Sequence, residues 1–197
     1  MKTIIEVGSN NGNDTANWFS DPLTRVFAFE PTPELALYLK DRFKGNPNYY
    51  PMPLAVDLEN GWAWFNIAGT GDWGCSSIFD FNPNIHNEWE GRPDFHFTDK
   101  CRVPTIRLDT FMTLYGIEEV DYLWIDAQGN DFRVLQSLGD KVRNIKAGKC
   151  EAAWSVNLYS GVDNTATSIS KWLMERGFKV AANPYNGKEA DIHFERI

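Results

Sequence analysis

The chain has 197 residues and a formal net charge of −8, a length that suits one α/β domain with a substantial core. The acidic balance argues against nucleic acid as the main partner, because phosphate binding needs a basic face. No apolar run approaches the ~18 residues of a membrane span.

Thr3-Ile4-Ile5-Glu6-Val7 is a β-branched run stopped by Gly8 and reads as a buried strand. The turn Gly8-Ser9-Asn10-Asn11-Gly12 follows, and Asn13-Asp14-Thr15 are the residue types that start a helix. Arg25 to Phe29 reads as a second strand ending in Glu30-Pro31. A helix from Pro33 through Phe43 follows, with Leu35, Ala36, Leu39 and Phe43 on one face. Tyr49 to Val56 reads as a third strand made irregular by Pro51 and Pro53, and Trp62 to Ile67 as a further strand. Residues 69–102 show little periodicity; so long an irregular stretch in one domain is a lid or an acceptor-binding segment, or else a sign of elements the pattern does not reveal.

Val103 to Arg107 predicts a short strand, and Leu108 to Gly116 a helix closed by glycine. Val120 to Asp126 is a clear strand, with a helix from Gly129 to Gly139 behind it. Cys150 to Val156 predicts another strand, Asn164-Thr165 the cap of a helix, and Phe178 to Phe194 a β-hairpin turning over Asn183 to Gly187. Alternating strands and helices imply a mostly parallel sheet covered on both faces, to which the hairpin adds one antiparallel strand. Cys75, Cys101 and Cys150 are odd in number and far apart, as free thiols in a reducing, cytoplasmic setting would be. Met1-Lys2-Thr3-Ile4 enters the first strand directly, so no cleaved secretory leader is expected.

A dinucleotide site wants Gly-x-Gly-x-x-Gly and an acid ~20 positions on for the ribose. Here Asn10 stands where the second glycine belongs, while Glu30 lies 22 positions after Gly8. The ribose half of the pattern holds and the pyrophosphate half fails, so a nucleoside without phosphates, such as S-adenosylmethionine, fits better than NAD.

Four stretches in order carry a resemblance: Glu6-x-Gly8-x-Asn10-x-Gly12, Phe29-Glu30-Pro31, Leu108-Asp109-Thr110-Phe111 and Ile125-Asp126-Ala127-Gln128-Gly129. With Gly74-Cys75-Ser76-Ser77 between the second and third, they resemble the motifs of FkbM-type methyltransferases. The resemblance implies a Rossmann-like class I methyltransferase fold, a seven-stranded sheet whose last strand is antiparallel. It also implies S-adenosylmethionine as donor and O-methylation of a small-molecule or sugar hydroxyl. Where the family shows Asp-x-Glu-Gly-x-Glu, this chain has Asp126-Ala127-Gln128-Gly129-Asn130-Asp131, so a neutral amide replaces a carboxylate.

The donor is expected on Glu6, Gly8, Ser9, Asn10, Gly12, Glu30, Pro31, Asp57, Ser76, Ser77 and Asp126. Glu30 takes the ribose, Glu6 and Asn10 the methionine tail, Asp57 the adenine amine, and Ser76 and Ser77 close over the tail. Asp126 and Gln128 are the expected catalytic pair, Asp126 as base or orienting group; His86 or His96 is the alternative base. Asp126 with Asn157 or Glu151 offers the oxygens magnesium takes, but the spacing does not establish a site and no metal is expected. Trp62 and Trp64 read as packing residues; Trp73 and Trp89 suit lid packing or sugar stacking equally. Two rival functions are a nicotinamide-dependent oxidoreductase and a non-catalytic domain that binds the donor or a sugar, the latter favoured by Gln128.

Overall fold

The computed structural model describes residues 1–19, 21–69 and 73–197. Strand β1 (Lys2–Val7) is buried from Thr3 onward and pairs in parallel with β2 (Thr24–Phe29) on one side and β7 (Tyr122–Ile125) on the other. β2 pairs in parallel with β3 (Tyr49–Met52), and β7 with β8 (Ala147–Ala153). The hairpin β9 (Phe178–Tyr185) and β10 (Glu189–Arg196) completes a seven-stranded sheet of order β3-β2-β1-β7-β8-β10-β9. β10 runs antiparallel to both neighbours, as the sequence predicts. Asn186 and Gly187 have φ of 45° and 74°, the left-handed pair that a tight hairpin needs.

Short helices connect the strands: α1 (Asn13–Trp18), α2 (Pro33–Arg42), α3 (Ile85–Glu88), α4 (Leu108–Leu114), α5 (Asp131–Gln136) and α6 (Ala166–Met174). On one face of the sheet Ile5, Val7, Phe29, Leu123 and Ile125 pack with Phe111, Met112, Leu135, Ile169 and Leu173. On the other, Ile4, Val26 and Ala28 pack with Leu39 of α2 and with Tyr49. Strand order reverses between β1 and β7, and in open α/β sheets the crevice at that switch point takes the ligand.

Several expectations are corrected. The third strand is two: after β3 the chain crosses Pro53, which has no N–H to give a ladder, and β4 (Ala55–Val56) joins a different sheet. That second sheet, β4-β6-β5, contains β5 (Gly61–Ile67) and β6 (Asp99–Ile106), so the strand predicted at Val103 begins at Asp99. β8 starts three residues earlier than predicted; Gly148 lets it approach closely, since a Cβ there would lie 2.3 Å from the Leu123 carbonyl. Trp62 and Trp64 are not packed: they are 63% and 57% exposed on the outer face of the small sheet, whose inner face buries Phe65, Ile67 and Val103. The irregular stretch, of which 70–72 lie outside the described residues, carries its own apolar cluster. Phe81 stacks on Phe97 and Tyr159 at centroid distances of 4.3 and 5.4 Å.

Candidate active site

The β1 turn is shaped by close approach. Gly8 has φ 85°, and a Cβ on it would lie 1.8 Å from the carbonyl oxygen of Asp126. The N–H groups of Gly8 and Ser9 donate to Phe29 O at 2.9 and 3.0 Å, and that of Asp126 to Val7 O at 2.9 Å. The ends of β1, β2 and β7 are thereby bound into one rim. Asn10 holds φ 46°, a conformation that side-chain-bearing residues adopt sparingly and that gathers at functional sites.

Glu30 sits on this rim, 5% exposed. Its Oε2 accepts from Asn10 N at 2.8 Å and its Oε1 from Thr32 N at 2.7 Å. A carboxylate can accept about four hydrogen bonds in all, so Glu30, which the Thr32 side chain also reaches, retains acceptor capacity for a ligand hydroxyl. Burial raises its pKa from 4.5 to about 7, against the lowering effect of those hydrogen bonds.

A cavity of about 330 Å³ opens at the carboxyl ends of β1, β2, β7 and β8. One end is apolar, walled by Phe29, Leu54, Val56, Phe65 and Ile78; the other carries Asp126, Gln128, Glu151, Tyr185 and Glu189. Oδ1 of Asp126 accepts from Nε2 of Gln128 at 2.5 Å. Burial pushes the Asp126 pKa up, and the Gln128 hydrogen bond and the Lys149 charge hold it back. Gln128 is itself left-handed at φ 50°. Its Oε1 lies 2.9 Å from the Tyr159 hydroxyl, which is also 2.8 Å from Cys75 O, and its carbonyl accepts from Ser77 Oγ at 2.7 Å. The 73–77 segment, part of the cavity wall, is thus fastened to the turn that follows β7.

Of the residues expected on the donor, Gly8, Asn10, Glu30, Pro31, Ser76 and Asp126 line the cavity, as does Gln128. Five others do not. Glu6, 1% exposed, points to α1 and accepts from the Thr15 hydroxyl; burial raises its pKa to about 7. Ser9 is buried behind the turn. Gly12 lies against α2, where a Cβ would meet Leu39 at 2.6 Å. Asp57 makes a forked ion pair with Arg133 of α5, at 2.8 and 3.1 Å. Ser77 serves the Gln128 carbonyl.

His86, His96 and His193 do not line the cavity, so no loop histidine stands where a base would act. Asn157 lies outside it too, and its carbonyl accepts from Asn82 Nδ2 at 3.1 Å. Among the described residues no group of three or more His, Cys, Asp or Glu is arranged to hold a metal ion.

Sequence reasoning missed Tyr185 and Glu189 and weighed Glu151 only as a metal ligand. Their one signal is the hairpin, whose register sets Glu189 opposite both Tyr185 and Ala153 of β8.

S-adenosylmethionine carries an adenine, a ribose diol and two cationic centres. The cavity offers apolar walls, a rim carboxylate that can still accept a hydroxyl, a turn that only glycine permits, and the Asp126 carboxylate at the end of β7. The residues fit the group.

The strand order, the reversed β10 and the acid-bearing crevice define a class I S-adenosylmethionine-dependent methyltransferase fold. Solved structures similar in fold include an rRNA methylase from Streptococcus thermophilus. It is 12% identical at a TM-score of 0.51, with 100% of this chain and 87% of that one covered. A Streptococcus mutans protein assigned as a methyltransferase and solved with S-adenosylhomocysteine is also 12% identical, at a TM-score of 0.52, with 100% and 89% covered. Aeropyrum pernix fibrillarin with natively bound S-adenosylmethionine is 15% identical at a TM-score of 0.50, covering 98% and 66%.

The family model for the methyltransferase FkbM domain matches residues 6–180, and the chain belongs to that family. It is also similar to the 2-O-methyltransferase NoeI of Sinorhizobium fredii (strain NBRC 101917 / NGR234), 27% identical over 137 residues. Those residues are 67% of this chain but only 55% of that protein.

Proposed function

We propose that the protein is an S-adenosylmethionine-dependent O-methyltransferase whose acceptor is a hydroxyl of a small molecule or sugar, with residues 73–102 forming wall and lid of one catalytic domain. The observation that carries this is Asp126. Asp126 stands at the end of β7 and lines the cavity, its backbone carbonyl against the Gly8 turn and one carboxylate oxygen held by Gln128. The name of NoeI, a 2-O-methyltransferase, supports oxygen as the acceptor atom. The net charge of −8 supports a small acceptor over nucleic acid, and the three free cysteines support a reducing, cytoplasmic setting.

The donor, when bound, supplies an electrophilic methyl group. Glu30 would accept from the ribose hydroxyls, and Gly8 and Asn10 would hold the amino-acid tail. Asp126 orients the acceptor hydroxyl and takes its proton. Alignment of two reactants in one cavity can supply ~7–11 kcal/mol of a barrier, so a modest base suffices and Gln128 need not be one.

Calorimetry with S-adenosylhomocysteine should show binding that Glu30→Ala weakens clearly; an unchanged affinity in a folded variant removes Glu30 from the ribose. Asp126→Asn should lower turnover more than donor affinity, whereas equal loss of both would make Asp126 a binding residue only. Gln128 favours a second reading, a non-catalytic domain that binds donor or sugar. Release of S-adenosylhomocysteine over a panel of glycans and nucleosides decides between the two.

A further inference from the structure

Three groups in the cavity remain unused by that reading: Glu151 of β8, Tyr185 closing β9 and Glu189 opening β10. The hairpin register brings them to one side, since Glu189 is the ladder partner of both Tyr185 and Ala153. The Tyr185 hydroxyl donates to Oε1 of Glu151. Among the described residues no donor meets the other oxygen of Glu151. Glu189 is aimed by Asn186, whose Nδ2 donates to its Oε2 at 2.8 Å. Trp73, 39% exposed, stands in the same cavity wall.

We propose that this side of the cavity is the acceptor subsite for an uncharged polyhydroxyl ring, with Glu151 receiving a ring hydroxyl; the assignment rests on the donor reading above.

The chemistry of the wall selects the class. Carboxylate oxygens accept hydrogen bonds, and a ligand that satisfies two of them and a phenol oxygen brings several O–H donors. Anionic acceptors meet like charge: Asp126, Asp131 and Glu189 already raise the proton affinity of Glu151, on top of burial. The guanidinium in the wall, Arg92, is forked onto Asp94 at 2.8–3.1 Å. A cationic acceptor would share the cavity with the donor's own positive centres. An uncharged ring with hydroxyls on its edge and C–H groups on its face suits both the carboxylates and the Trp73 ring.

The test uses the whole chain loaded with S-adenosylhomocysteine and saturation-transfer NMR. The probes are the methyl glycosides of common hexoses, 6-deoxyhexoses and pentoses, beside the matching uronic acids and amino sugars. At least one methyl glycoside should bind, and the uronic acids and amino sugars should bind more weakly. Glu151→Gln and Tyr185→Phe should each weaken glycoside binding about tenfold or more, equivalent to ~1.4 kcal/mol, while leaving S-adenosylhomocysteine affinity within about threefold. If Glu151→Gln loses its fold, Tyr185→Phe, which removes one hydroxyl, carries the test. Glycoside binding unchanged in the folded variants, preferred binding of a charged sugar, or no glycoside bound by the loaded wild type overturns the subsite alone. No binding of S-adenosylhomocysteine overturns the donor reading and this one together.

Discussion

The amide of Gln128 is oriented from both ends: its nitrogen is 2.5 Å from Oδ1 of Asp126 and its oxygen 2.9 Å from the Tyr159 hydroxyl. A glutamate, the residue expected at 128 from the family pattern, could not donate to Asp126 unless it carried a proton. Gln128→Glu should therefore create two carboxylates sharing one proton. Such a pair binds that proton more tightly folded than unfolded, so the stability it supplies is present at low pH and lost as pH rises. The variant should fall below wild type by roughly 1–4 kcal/mol between about pH 5 and 8.5, taking a shift of ~1–3 units at ~1.4 kcal/mol each. Denaturant titrations across that range check it; a gap that stays constant with pH would mean that no proton is shared.

Gly8→Ala should be severe. The new methyl would sit 1.8 Å from the Asp126 carbonyl, on a residue held at φ 85°. Backbone, unlike a flexible side chain, cannot swing away, so either β1 and β7 separate or the turn rebuilds. A loss of ~4 kcal/mol or more is expected, with donor binding abolished in whatever remains folded. Thermal melts with and without S-adenosylhomocysteine measure both. A variant that melts like wild type would mean the turn is looser than this contact implies.

Glu30 gives a stability slope of definite sign. Burial raises its folded pKa to about 7 from 4.5, so the folded state holds the proton more tightly. The stability this contributes is complete below about pH 4.5 and is lost as pH rises through about 7. Glu30→Gln removes the titration. Its amide nitrogen must face one of two backbone N–H donors, so the variant starts lower. Between pH 4.5 and 8 its deficit should shrink by roughly 3 kcal/mol, about 2.5 units at ~1.4 kcal/mol each. Parallel curves for wild type and variant would show an ordinary carboxyl.

What the sequence made legible is what the parallel sheet buries. β1, β2 and β7 are rich in buried β-branched and aromatic residues, and the residues that follow them, Gly8, Glu30 and Asp126, fall at the crevice by topology alone. The small sheet was hidden because Pro53 disguises the break between β3 and β4, and because Asp99-Lys100-Cys101-Arg102 is too polar to read as a strand when one face is open to solvent. Glu6 was misdirected by its motif: its side chain lies toward Thr15, a matter of strand parity that the spacing does not reveal. Glu151, Tyr185 and Glu189 are joined only through hairpin register, which no local pattern reports.

Tyr159 ties the Asp126–Gln128 turn to the wall. Its hydroxyl reaches both Gln128 Oε1 and Cys75 O, and its ring packs against Gly129, where a Cβ would lie 2.5 Å away. Tyr159→Phe keeps the ring and removes the single O–H proton that the buried Cys75 carbonyl and the half-buried Gln128 amide oxygen share, a loss of ~1–3 kcal/mol. The consequence should not be uniform. Gln128 loses one of its two anchors, and the 73–77 segment keeps Ser77 on the Gln128 carbonyl but loses the Cys75 attachment. Amide exchange should therefore quicken at Cys75, Ser76 and Gln128 by more than the global destabilisation accounts for, while β1 and β2 track the global change. Hydrogen exchange followed by mass spectrometry distinguishes the outcomes. Exchange raised equally everywhere would make Tyr159 an ordinary core residue, and exchange raised selectively at the wall would make it the fastener between Asp126's partner and the 73–77 segment of the cavity wall.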